Sequence, residues 1–198
     1  MGGRAGGGAG MGRGSLRGDT TYKGSIKNVE SLIKMKDPAM YKAAKEAISN
    51  FSAKLGTPER NVKLADLQGN VMGIGGKGEV YLNKKYFNKS SKEFGKTMKQ
   101  NYDAGHLTKT NKPLAHVLNH ELAHAAWSSH QTSPKAIAAG KEITKLYKSW
   151  SKSGGKGYGK YAKSNVNEFW AEVSTKAAHG KADKWTKAAK GIYKKFKL

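Results

Sequence analysis

Residues 119–130 read NHELAHAAWSSH. If the segment is helical, His120 and His124 stand one turn apart on the same face and can reach one ion together. Glu121, between them, lies on an adjacent face, close enough to take a proton from water at that ion without ligating it. The surrounding sequence predicts the helix. Thr110 or Asn111 offers a cap, Pro113 falls near the first position, and LAHVLNHELAHAAW runs to about residue 128 without a breaker. A hydrolytic zinc site takes three protein ligands and keeps a fourth position open, so this helix supplies two of the three.

Two readings compete for the third ligand. His130 stands six residues after His124, the spacing of the HExxHxxGxxH pattern. That pattern needs a glycine where this chain has Trp127, and a methionine turn downstream. All the methionines, at 1, 11, 35, 40, 72 and 98, lie upstream. The other reading is a glutamate on a separate helix. NVNEFWAEV (165–173) offers Glu168 and Glu172 one turn apart, with Val166, Phe169, Trp170 and Val173 available to pack against the HELAH helix. Residues 141–198 hold 15 lysines and only four acids, so this carboxylate pair stands out from a basic background. One carboxylate would bind the metal, and the other would steady a histidine through its free ring nitrogen. His116, a further turn before His120, is too far up the helix to share the ion and reads as a packed or supporting residue. His106 and His179 read as a surface loop and a helix end.

Glu168 falls 44 residues after His124, and Tyr161 precedes Glu168 by seven. With HELAHAAW and YAKSNVNEFWAEV, the chain resembles the gluzincin-type metallopeptidase domain of anthrax lethal-factor-like proteins. Similar domains are found at the ends of some phage minor head proteins. Those families pair an HExxH helix with an ExFFAE-type helix; here Trp170 stands where phenylalanine is usual. The resemblance covers residues 110–178 and, weakly, GEVYLN (78–83). It implies an α+β zincin-like fold: a small twisted mixed sheet, an active-site HExxH helix and a mainly helical C-terminal part. It implies Zn2+ held by His120, His124 and Glu168, with Glu121 as general base. Tyr161 would then stabilise the oxyanion, Glu172 would support a ligand, and a peptide or protein would be the substrate. GEVYLN alternates, with Val80 and Leu82 on one face and Glu79, Tyr81 and Asn83 on the other. It is therefore a candidate edge strand for an extended substrate, with Tyr81 as a substrate contact.

The rest of the chain sets bounds. Its 198 residues suit one domain, read as 21–198 behind a Gly/Arg-rich disordered tail at 1–20. With no cysteine, any metal must be held by nitrogen and oxygen. No apolar run is long enough to span a membrane. MGGRAGGGAGMGRGSLRG lacks the apolar stretch of a signal peptide, so the expectation is synthesis in the cytoplasm. The net charge of +23 draws the chain to nucleic acid or another polyanion, unless it simply solvates the surface. Only Arg4, Arg13, Arg17 and Arg60 are arginines, which points to diffuse attraction rather than base reading. Charge and resemblance together suggest a virion-packaged or injected protein. The rival reading is a basic nucleic-acid- or capsid-binding structural protein with an inactive or structural zinc site. The final helix, with Trp185, Ala189, Ile192, Tyr193 and Phe196 on one face, is expected to lie on the core.

Overall fold

Asp37-Pro38 starts the first helix as its sequence requires. The Asp37 carboxylate accepts from the N–H groups of Ala39 and Met40, and Pro38 occupies the first position. This computed structural model describes Tyr22 and residues 24–128, 133–180 and 182–198. The expected tail at 1–20 and His130 lie outside the described residues. The strands are β1 (Ile26–Ser31), β2 (Asn61–Leu67), β3 (Gly73–Gly76) and β4 (Glu79–Asn83). The helices are α1 (Pro38–Leu55), α2 (Lys84–Phe87), α3 (Ser91–Asp103), α4 (Pro113–Ser128), α5 (Pro134–Lys152), α6 (Val166–Ala178) and α7 (Lys184–Phe196). The fold is α+β, with one mixed four-stranded sheet.

The strand order is β1-β2-β4-β3, parallel between β2 and β4 and antiparallel elsewhere. β3 turns into β4 through Lys77 and Gly78, both at positive φ, as a two-residue hairpin turn of the primed type requires. Val62, Leu64, Val80 and Leu82 face the main core beneath the sheet, while Ala65, Leu67, Ile74 and Tyr81 form a small cluster on the other face.

Two expectations for GEVYLN are corrected here. β4 is an interior strand, because the short glycine strand β3 pairs outside it and becomes the edge. Tyr81 lies on the sheet face away from the helices and donates its phenolic hydrogen to Glu79, so it does not face the two histidines. Nor is that face open throughout. Asn83 is buried, its amide donating to the carbonyls of Leu67 (3.1 Å) and Val71 (2.7 Å).

α4 is buried on almost every side, packed against α1, α6 and β3. That explains a sequence apolar nearly all round where an amphipathic stripe would have sufficed. Caps fix the register of the other helices: a Ser90–Glu93 capping box for α3, Ser133 for α5 and Asn165 for α6. α7 lays Ala189, Ile192, Tyr193 and Phe196 on the core, with Tyr193 stacked on Trp170 at 4.9 Å between ring centroids. Among the described residues, no helix is long and apolar enough to cross a membrane.

Candidate metal centre

The side chains of His120, His124 and Glu168 meet where α4 crosses α6. His120 Nε2 lies 3.0 Å from Glu168 Oε2 and 3.2 Å from His124 Nε2, and the third edge, His124 Nε2 to Glu168 Oε2, is 3.4 Å. Ligands at 2.0–2.1 Å around a tetrahedral zinc stand about 3.3 Å from one another, so this triangle has the size the ion requires. His120 and Glu168 are fully buried, and His124 keeps 12% of its side chain exposed. These donors could therefore hold a metal ion.

A second carboxylate sets the direction of His120. Its Nδ1 lies 3.2 Å from Glu172 Oε1, which also meets His116 Nε2 at 3.0 Å. A carboxylate accepts, so without an ion His120 donates from Nδ1 to Glu172 and from Nε2 to Glu168; an ion at the centre would replace the Nε2 proton while Glu172 still holds Nδ1–H. The other Glu172 oxygen accepts from the N–H of Thr108 (3.2 Å) and from its hydroxyl. Four donors thus hold one buried carboxylate. His116, read from its spacing as packed or supporting, is buried against Glu172, and His116, His120 and Glu172 form a second group of donors that could hold an ion. Thr108 carries no sequence signal, because its partner lies 64 positions away.

Electrostatics follow from burial and crowding. Burial alone would lower the His120 pKa, but hydrogen bonds to Glu168 and Glu172 outweigh it and raise it to about 10. Glu168 answers in the opposite sense. Burial would raise its pKa, yet the histidines hold it well below the usual carboxylate range. Glu121 is different: burial pushes its pKa up, only partly offset by His120, His124 and an N–H hydrogen bond from Gly75. Tyr161 is pushed well above its ordinary value by burial and by the carboxylates of Glu168 and Glu121, so its phenol keeps its proton.

The pKa shifts predict a pH window for the metal-free protein. Raised above 6.5, His120 contributes stability fully below that pH and loses it as pH climbs toward 10. Depressed below 4.5, Glu168 contributes above that pH and loses it on acidification. The gap in melting temperature between chelated wild type and chelated Glu168→Gln should therefore be widest between pH 4.5 and 6.5. A gap that grows steadily above pH 8 would contradict this pairing.

Tyr161 lies in a 3-10 turn, Lys160–Lys163, and is only 6% exposed, its ring 5.7 Å from that of His120. The turn is tied to residues 105–108: Lys160 and Tyr161 donate their N–H groups to the carbonyls of Gly105 (3.0 Å) and His106 (2.9 Å). Gly159 permits this approach, since a Cβ there would stand 2.5 Å from the His106 carbonyl oxygen.

No family model, curated protein or solved structure matches this chain. Its own geometry must carry the reading.

The glycines of β3 are part of that geometry. A Cβ on Gly73 would lie 2.8 Å from Glu121 Cγ, and one on Gly75 would lie 1.9 Å from the Glu121 carbonyl oxygen and 3.0 Å from His124 Cβ. The sequence suggests short strands joined by tight turns here, and the strand glycines also let β3 rest directly on the helix that bears the histidines. Gly75→Ala must push β3 off α4, and we expect a loss of about 3 kcal/mol in denaturant unfolding. Gly95→Ala, in α3 with nothing within 4 Å of the added methyl, should be neutral or stabilise by about 1 kcal/mol. Equal effects of the two substitutions would refute the packing argument.

Proposed function

We propose that the chain is a zinc-dependent endopeptidase of zincin architecture. The observation that carries this reading is the triangle of His120 Nε2, His124 Nε2 and Glu168 Oε2, of zinc-ligand dimensions and with a proton acceptor and a proton donor beside it. Zinc at those atoms supplies Lewis-acid polarisation of a carbonyl and acidification of water. The chain supplies the rest. Glu121, its carboxylate made more basic by burial, takes the proton of the attacking water and returns it to the leaving amine. Tyr161, kept protonated, donates a hydrogen bond to the developing oxyanion. Glu172 keeps His120 in the ligating tautomer. β3, at the sheet edge beside Glu121 and His124, offers main-chain groups to an extended peptide. The excess of lysine would hold the enzyme near nucleic acid or another polyanion, the setting of a virion-associated or injected protein.

The test is direct. Zinc-loaded protein should cleave an unfolded polypeptide such as reduced casein, lose the activity to a chelator, and regain it with zinc. A melting temperature that depends on zinc, with no cleavage of any peptide library, would instead identify a structural metal.

A further inference from the structure

On another side of α4 lies a half-open cavity of about 350 Å3, lined by α1, the start of α3, the first half of α4 and the end of α6. Met40, Ala43, Ala47, Phe94 and Leu114 give it apolar walls. Its polar lining is mixed: Lys54 and Lys112 donate, Glu46 accepts, and Asn50, Ser91, Asn119 and His179 can do either. Asn119, one residue before His120, is only 3% exposed, and its Oδ1 is sealed without a hydrogen-bond partner. Among the described residues, Nδ2 makes no hydrogen bond either. Thr110, expected to cap α4, accepts from the N–H of Lys112 (3.2 Å) just before the helix, and among the described residues the N–H groups of Leu114 and Ala115 have no protein acceptor. The positive end of that helix dipole therefore opens on the space. Lys112 and Lys54 stand at the rim against one acid, Glu46, with Lys54 also bonded to the Ala178 carbonyl at 2.9 Å.

We propose that this cavity binds a small carboxylate with an apolar body. The apolar part would lie against Met40, Phe94 and Leu114. The carboxylate would accept from the Asn119 amide and the first turn of α4, with Lys112 alongside. The volume falls within the range of small-molecule sites. This site is separate from the metal donors and does not depend on the peptidase reading.

The test is calorimetry or ligand-observed NMR on the full zinc-loaded chain with three matched probes: 3-phenylpropanoate, 3-phenylpropanamide and 3-phenylpropylamine. The carboxylate should bind at least tenfold tighter than the amine, with the amide between. Asn119→Leu should lower carboxylate affinity about tenfold. Ala43→Trp fills the cavity from the half-buried face of α1 and leaves the net charge unchanged, so it should abolish binding. Carboxylate binding that survives Ala43→Trp would mean diffuse attraction to lysines and would overturn the proposal. So would equal affinity for carboxylate and amine, or no binding at millimolar concentration.

Discussion

Glu168→Ala, purified beside the wild type, is expected to lose nearly all of its zinc, while the wild type retains about one ion per chain. Glu168 supplies one corner of the donor triangle and is fully buried, and among the described residues no other carboxylate meets both histidine Nε2 atoms. Outer residues that merely orient a ligand cost about 10–100-fold in metal affinity when removed, so a ligand itself should cost at least the upper figure. Elemental analysis after dialysis reads the result. If Glu168→Ala keeps its zinc, the third ligand is elsewhere. His130, at the spacing of the other zinc pattern, would be the residue to change next, and the role assigned to Tyr161 would go with the glutamate.

Glu121→Gln should do the opposite: zinc content unchanged and peptide cleavage reduced by about 10²–10⁴-fold. Glutamine keeps the shape of the side chain and its packing under Gly73 and Gly75, but it cannot take up a proton. Because burial raises the Glu121 pKa, the remaining activity should also lose the acidic limb that this carboxylate gives the pH profile. Cleavage by Glu121→Gln at near wild-type rate would remove Glu121 from the chemistry. Loss of zinc together with activity would make it a structural support of the centre rather than a base. The pair of variants thus separates holding the metal from using it.

Much of the candidate centre was legible because helical spacing is local. His120 and His124 had to share a face once α4 was a helix, and Glu168 and Glu172 likewise on α6. The caps at Asp37, Ser90 and Ser133 act within three residues, so the starts of α1, α3 and α5 are local signals. GEVYLN shows where such reading stops. Its alternation correctly put Val80 and Leu82 in the core, but alternation does not say which strand comes next in the sheet. β3, four residues with three glycines, shows almost no periodicity, yet it takes the edge and leaves β4 inside. The order follows from a hairpin that folds β3 outward while β4 pairs parallel with β2.

By itself, then, the sequence determined the α4 and α6 helices with their paired histidines and paired glutamates, because each depends on residues within a turn or two. Only the tertiary structure decided that His120 Nε2 and Glu168 Oε2, 48 positions apart, close to 3.0 Å. It also turned Glu172 toward His116, His120 and Thr108, and brought the glycines of β3 down onto Glu121. These are contacts between elements, set by which faces bury together and how near two backbones can approach, and no local pattern in the chain encodes such a distance.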